Sequence, residues 1–159
     1  MGRILIKPEA CIGCRLCEVW CVVAHSRSKD IIKAFLYESE RSLPRIIVEE
    51  KLPVSFALQC RHCAEPDCVF ACISGALYKD RRKGKVVHDP AKCVGCYSCV
   101  MACPYGSVFI DHENRKVVKC DLCEGLDAPF CVSKCPNAAL VYVDNHGTVR
   151  GDRKDESAV

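Results

Sequence analysis

One stretch constrains this chain more than any other. Cys93, Cys96, Cys99 and Cys103, followed by Pro104, are spaced C-x2-C-x2-C-x3-C-P. In a run of this rhythm three thiolates take corners of one [4Fe–4S] cluster and the fourth reaches a second cluster. Two residues between thiolates let a loop wrap three corners of a cube, while the fourth cysteine points away. A tetrahedral zinc ion needs only four sulfurs and has no use for this rhythm.

The rest of the chain repeats the pattern. Cys11, Cys14, Cys17 and Cys21 have the same spacing, with Val22 where the proline would stand, and each recurs 82 positions later. Pro8 and Pro90 each precede their first cysteine by three residues. Gly13 and Gly95 lie between the first two cysteines, where a loop curled round a cube needs positive φ and close backbone approach. A second motif, Cys60, Cys63, Cys68 and Cys72, is spaced two, four, three; a fourth runs Cys120, Cys123, then Cys131 and Cys135 before Pro136. Pro66-Asp67-Cys68-Val69 is echoed by Pro129-Phe130-Cys131-Val132. All 16 cysteines of the 159 residues fall into these four quartets, with none left over.

A cysteine content of about one residue in ten marks either a disulfide-rich secreted protein or a metal protein. The start Met1 to Lys7 has too short an apolar stretch for a signal peptide, carries no twin arginine and does not match a myristoylation site. No apolar run approaches the roughly 18 residues of a membrane span. A cytoplasmic location is therefore expected, where clustered thiols stay reduced and bind metal. The formal charge of +3 loses its meaning once four clusters are counted. Each cluster with its four thiolates carries about 2−, which brings the total to roughly −5. Nothing then favours nucleic-acid binding.

Between the motifs the elements are short. Arg3 to Lys7 reads as a strand, and the Cys17 to Cys21 spacing as a helical turn. In the longest gap, His25 to Gln59, Asp30 can cap a helix over Ile31 to Leu36, and Pro44 to Glu50 reads as a strand. Arg81 to Lys85 is a charged turn ahead of a strand over Val86 to Asp89. Val108 to Asp111 and Arg115 to Lys119 form a hairpin, and Ala139 to Val143 a closing strand.

These motifs resemble the four-cluster, ferredoxin-like electron-transfer subunits that serve tungsten and molybdenum oxidoreductases, hydrogenases and CO dehydrogenases. The resemblance covers residues 3 to about 143. It is carried by the two C-x2-C-x2-C-x3-C runs, Gln59-Cys60-Arg61-His62-Cys63 with Pro66 and Cys68, Cys103-Pro104-Tyr105-Gly106, and Lys119-Cys120-Asp121-Leu122-Cys123. The implied fold is α+β, with two ferredoxin-like dicluster units related by the internal repeat. One unit comprises residues 1–24 plus 112–145 and the other 54–111, with an insertion at 25–53 and a loose tail at 151–159.

The resemblance also implies the ligand sets. By spacing alone, either the 72–93 or the 103–120 gap could close a compact unit. By resemblance, one cluster takes Cys11, Cys14, Cys17 and Cys135, and the next Cys120, Cys123, Cys131 and Cys21. A third takes Cys60, Cys63, Cys68 and Cys103, and the fourth Cys93, Cys96, Cys99 and Cys72. Some relatives lack a ligand in the third motif, whereas Cys96 is present here. The chain departs from many relatives in having only seven residues between Cys123 and Cys131.

The function implied is relay of single electrons through four [4Fe–4S] clusters. The implied partners are a catalytic oxidoreductase subunit, of the tungsten/molybdenum or CO dehydrogenase type, and a further redox protein. Ala24 to Asp30 looks like the CO dehydrogenase-associated subunit, and the small subunits of tungsten aldehyde oxidoreductases are of the same type. The alternative is a free polyferredoxin shuttling between enzymes. No Gly-rich nucleotide loop is present and every cysteine is assigned, so no catalytic site is expected. Arg15, Arg61, His62 and Lys119 sit beside ligands as candidate tuners of potential, against the alternative that each is a solvent-facing side chain.

Overall fold

The computed structural model describes residues 2–51, 53–144 and 147–151. The first strand, β1 (Arg3–Ile6), leads through a 3-10 turn at Pro8–Ala10 into the first cysteine loop and helix α1 (Leu16–His25). Helix α2 (Ile31–Leu36) follows, capped as expected: Asp30 Oδ1 accepts from the Lys33 backbone N–H at 2.9 Å. Strands β2 (Ile46–Lys51) and β3 (Val54–Gln59) pair antiparallel, Ile46 opposite Gln59. The expected boundary at 53/54 falls between these two strands.

Two further hairpins carry the middle of the chain. Helix α3 (Asp67–Phe70) precedes β4 (Leu77–Asp80), which pairs with β5 (Lys85–His88). Helix α4 (Ser98–Ala102) precedes β6 (Val108–Asp111), which pairs with β7 (Lys116–Lys119). After α5 (Phe130–Ser133), strand β8 (Leu140–Val143) returns to pair antiparallel with β1, Arg3 opposite Val143, and β9 (Val149–Arg150) pairs with β8. The chain is therefore α+β, built of short antiparallel pieces. Apart from Gly151, the expected tail lies outside the described residues.

The β1–β8 pairing places the first and fourth cysteine motifs side by side. Helix α1 packs on α5, and α3 packs on α4. Two small cores result. One gathers Cys21, Ile46, Val48, Ala57, Cys131, Val132 and Leu140; the other Cys68, Leu77, Val86, Cys99, Val108 and Val117. Each core contains cysteines, so apolar packing and sulfur positions are set together. The β2–β3 hairpin belongs to the first core through Ile46, Val48 and Ala57. No helix among the described residues is long and apolar enough to cross a membrane.

Candidate metal centre

The first Cys-x-x-Cys loops of the four motifs share one backbone device. The residue before the second cysteine is left-handed in all of them: Gly13 (φ 68°), His62 (φ 50°), Gly95 (φ 70°) and Leu122 (φ 62°). Glycine adopts this conformation freely, whereas a side chain there costs about 1 kcal/mol. At Gly95 the glycine is also required sterically, because a Cβ would strike the Arg115 carbonyl oxygen. Arg15 and Tyr97, one residue after the second cysteine of their loops, are left-handed too, at φ 58° and 60°, and start α1 and α4. The repeat in sequence is thus a repeat in dihedral angles.

The loops gather the thiols into four groups, each drawing on two motifs. Cys11, Cys14, Cys17 and Cys135 line one cavity, with Ile6, Val48 and Leu140 around them. Cys60, Cys63, Cys68 and Cys103 line a second. Cys72, Cys93, Cys96 and Cys99 line a third. The remaining thiols, Cys21, Cys120, Cys123 and Cys131, are all buried, and Cys131 feels the other three electrostatically. Neighbouring groups also act on one another electrostatically. Cys131 feels Cys17, Cys120 feels Cys60, and Cys68 feels Cys99. The order in space is therefore the Cys11 group, the Cys120 group, the Cys60 group and the Cys93 group. Exposed cysteines, Cys14 and Cys96, occur only in the two end groups.

This donor set suits a positively charged core. Burial, followed by the neighbouring Cys60 and Cys103, pushes the Cys68 thiol up to about 11. Burial and then Glu18 push Cys17 up to about 12. Burial also pushes Cys21 to about 12, against the backbone N–H of Arg45. Four such sulfurs do not ionise together without a cation between them. The fourth cysteine of every motif, moreover, accepts a backbone N–H. Arg45 donates to Cys21 Sγ at 3.2 Å, Leu77 to Cys72 at 3.4 Å, Ser107 to Cys103 at 3.5 Å and Ala139 to Cys135 at 3.3 Å. Such donors favour the thiolate.

The comparisons with known proteins agree with this chemistry. Residues 53–146 match the family described as a 4Fe-4S dicluster domain. This chain belongs to that family. Electron transport protein HydN of Escherichia coli K12 is 36% identical over 163 residues, spanning 92% of this chain and 90% of HydN. The iron-sulfur protein of Rhodospirillum rubrum is 35% identical over 160 residues, spanning 89% of this chain and 81% of its own length. The β-subunit of the NADH-dependent phenylglyoxylate dehydrogenase of Aromatoleum evansii is 36% identical over 148 residues, which are 90% of this chain but 31% of that one. Among solved structures, a chain of the active site complex BamBC of benzoyl coenzyme A reductase aligns with a TM-score of 0.50 at 24% identity, covering 94% of this chain and 80% of that chain. That likeness concerns the ferredoxin-like fold.

Within this dicluster fold the four candidate tuners part company. Arg15 is half exposed and pairs with Glu50 at 3.2 Å. The Arg61 guanidinium lies over the Tyr105 ring at 4.1 Å. His62 and Lys119, by contrast, are buried, at 0% and 4% exposure. Lys119 Nζ donates to the Cys120 carbonyl at 2.8 Å, and its charge reaches both Cys68 and Cys120. Lys119→Met should therefore lower the midpoint potential of a neighbouring cluster, by roughly 1 kcal/mol per electron or about 40 mV. A redox titration superimposable on wild type would rule this out.

One group at the site carries no signal in the sequence. His25, on α1, places Nε2 3.0 Å from Asp121 Oδ1 and Nδ1 2.8 Å from the Cys21 carbonyl. Arg45 donates to Asp121 Oδ2 at 2.6 Å, and the Cys123 backbone N–H donates to Asp121 Oδ1 at 3.0 Å. Burial opposes ionisation of Asp121, but the hydrogen bond from His25 and the Arg45 charge outweigh it and hold the carboxyl well below the usual range. His25, Asp121 and Cys123 bring ligand atoms within 4.8 Å of one another. Because Arg45 and His25 already engage the carboxylate, the trio is a brace on the Cys120 group.

Proposed function

We propose that this chain is the electron-relay subunit of an oxidoreductase complex, with four [4Fe–4S] clusters and no catalytic site of its own. Cys11, Cys14, Cys17 and Cys135 hold one cluster, and Cys120, Cys123, Cys131 and Cys21 the next. Cys60, Cys63, Cys68 and Cys103 hold the third, and Cys93, Cys96, Cys99 and Cys72 the fourth. The two dicluster units comprise 1–24 with 112–145, and 54–111, except that β3 packs on the first core and β7 on the second. Each cluster, when bound, takes up and gives back one electron at a time. The protein's part is to order the sulfurs in a line, bury the Cys120 group completely, and aim backbone N–H groups at the fourth thiolate of each motif.

The observation that carries this reading is the gathering of all 16 cysteines into four separate groups with exposed members only at the two ends. A relay needs that form, with entry and exit at the surface and insulation between. The ends suit two partners, a catalytic subunit of the tungsten/molybdenum or CO dehydrogenase type and a second redox protein, in the cytoplasm. HydN is named an electron transport protein, while the phenylglyoxylate dehydrogenase relative and a tetrathionate reductase relative from Salmonella typhimurium are each named as one subunit of an enzyme. Those names favour the relay subunit over a freely diffusing polyferredoxin.

The test is anaerobic purification with iron and sulfide analysis and electron paramagnetic resonance. About sixteen iron atoms per chain, with reducible paramagnetic centres, are expected. A colourless zinc protein would overturn the proposal. Co-purification of a stoichiometric catalytic subunit is expected as well, whereas a lone 17.6 kDa chain in its native cells would favour the shuttle.

A further inference from the structure

His62 stands in a left-handed position that two of the other three loops give to glycine, so a local conformational cost is accepted there. Its side chain is completely buried. The Val86 backbone N–H donates to His62 Nδ1 at 3.1 Å. A nitrogen that accepts a hydrogen bond carries no proton, so the ring is neutral and its hydrogen is on Nε2. That Nε2–H is buried and has no acceptor among the described residues.

The surroundings narrow what can accept it. The charged groups acting on the ring are Lys119, Lys79 and Lys85, all donors. Lys79 is engaged with the His62 and Cys63 carbonyls at 2.8 and 2.6 Å, and Lys85 with Glu124 at 2.7 Å. No carboxylate is among the largest of these influences on the imidazole. Lys119 ties the position to the junction of the two central thiol groups, since it acts on Cys68 and Cys120 as well as on His62. An orphaned donor at such a place is costly unless an acceptor meets it. The thiols of these two groups supply sulfur acceptors at this junction.

We infer that His62, fixed as the Nε2–H tautomer by Val86, donates a hydrogen bond to a thiolate or sulfide sulfur of a central cluster and raises that cluster's reduction potential. The inference rests on the four-cluster reading. A neutral donor stabilises the more negative, reduced state without adding a charge. His62 is thus a positioning and tuning residue at the middle of the relay, where electrons pass from one half of the chain to the other.

The test uses the holoprotein, labelled with 15N-histidine and reduced, with pulsed paramagnetic resonance to detect nitrogen coupled to a cluster. Two variants separate the ring's two bonds. His62→Asn keeps an acceptor for Val86 and loses the distal donor; His62→Gln keeps a distal N–H and loses the acceptor. The expected result is a histidine coupling in wild type that disappears in both variants. One midpoint potential should fall in His62→Asn and stay near the wild-type value in His62→Gln. The inference is overturned by an iron-replete wild type without histidine coupling, by a coupling that survives in His62→Asn and so belongs to another histidine such as His25, or by midpoints that shift in the glutamine variant alone. The wild-type measurement needs no variant to fold. A wild type without any iron–sulfur signal would instead refute the underlying four-cluster reading.

Discussion

Cys96→Ala combined with Cys99→Ala is expected to unfold the half of the molecule built on α3, α4 and the β4–β5 and β6–β7 hairpins. The apolar core there is small, built from Cys68, Leu77, Val86, Cys99, Val108 and Val117. So few side chains bury little apolar surface, and small metal domains typically fold only with metal. Without iron the site has no other favourable use. In the wild-type chain burial first, and then Cys72, push the Cys99 thiol up to about 11, so this sulfur is buried as a thiolate only with a cation beside it. The Tyr97 and Gly95 left-handed turns would be held by nothing but the loop itself. The loss should amount to about 5 kcal/mol or more, the whole stability of a small unit. Iron content should fall by at least about four atoms per chain. Anaerobic circular dichroism melting with iron analysis checks this, and a single native-like transition would reject it.

What the sequence made legible was local. The β1 strand, the Asp30 cap and the helix it begins, the β6–β7 hairpin and the closing strand β8 all stand where period and turn chemistry put them. So does the positive φ at Gly13 and Gly95. Strands β3 and β4 were not legible. Val54 to Gln59 follows Pro53 in the long gap between motifs, and Leu77 to Asp80 ends in charges that look like turn. Their strand character comes from the partners β2 and β5. His62 and Leu122 in a glycine-like conformation were likewise hidden, because the tight turn between the two cysteines imposes φ whatever the residue. Lys119 looks like a surface charge in Arg115-Lys116-Val117-Val118-Lys119. It is buried because its ammonium finds the Cys120 carbonyl and the sulfurs of two motifs. Partners so distant in sequence leave no mark in spacing.

The same reason hides the brace, and the brace predicts the second large effect. Asp121 joins three segments: α1 through His25, the approach to β2 through Arg45, and its own loop through the Cys123 N–H. Arg45 in turn donates its backbone N–H to Cys21 Sγ at 3.2 Å. Cys21 comes from the first motif and Cys120, Cys123 and Cys131 from the fourth, so Asp121 links the two motifs that make up this thiol group. Asp121→Ala removes the acceptor from a half-buried guanidinium and an imidazole, and frees the strained Leu122 turn. Hydrogen bonds to charged groups contribute about 1.5–3 kcal/mol each, and the pair here is about one-third open to solvent, so a total near 3 kcal/mol is expected. Asp121→Asn should cost less, because its amide oxygen still accepts from the Cys123 N–H while the charge facing Arg45 is gone. The functional consequence is selective: iron should leave the Cys120 group before the others when a chelator is added. Following melting temperature together with the rate of iron release separates this from general softening. If Asp121→Ala melts like wild type and releases iron at the same rate, the contacts of His25 and Arg45 hold nothing that the thiolates do not already hold.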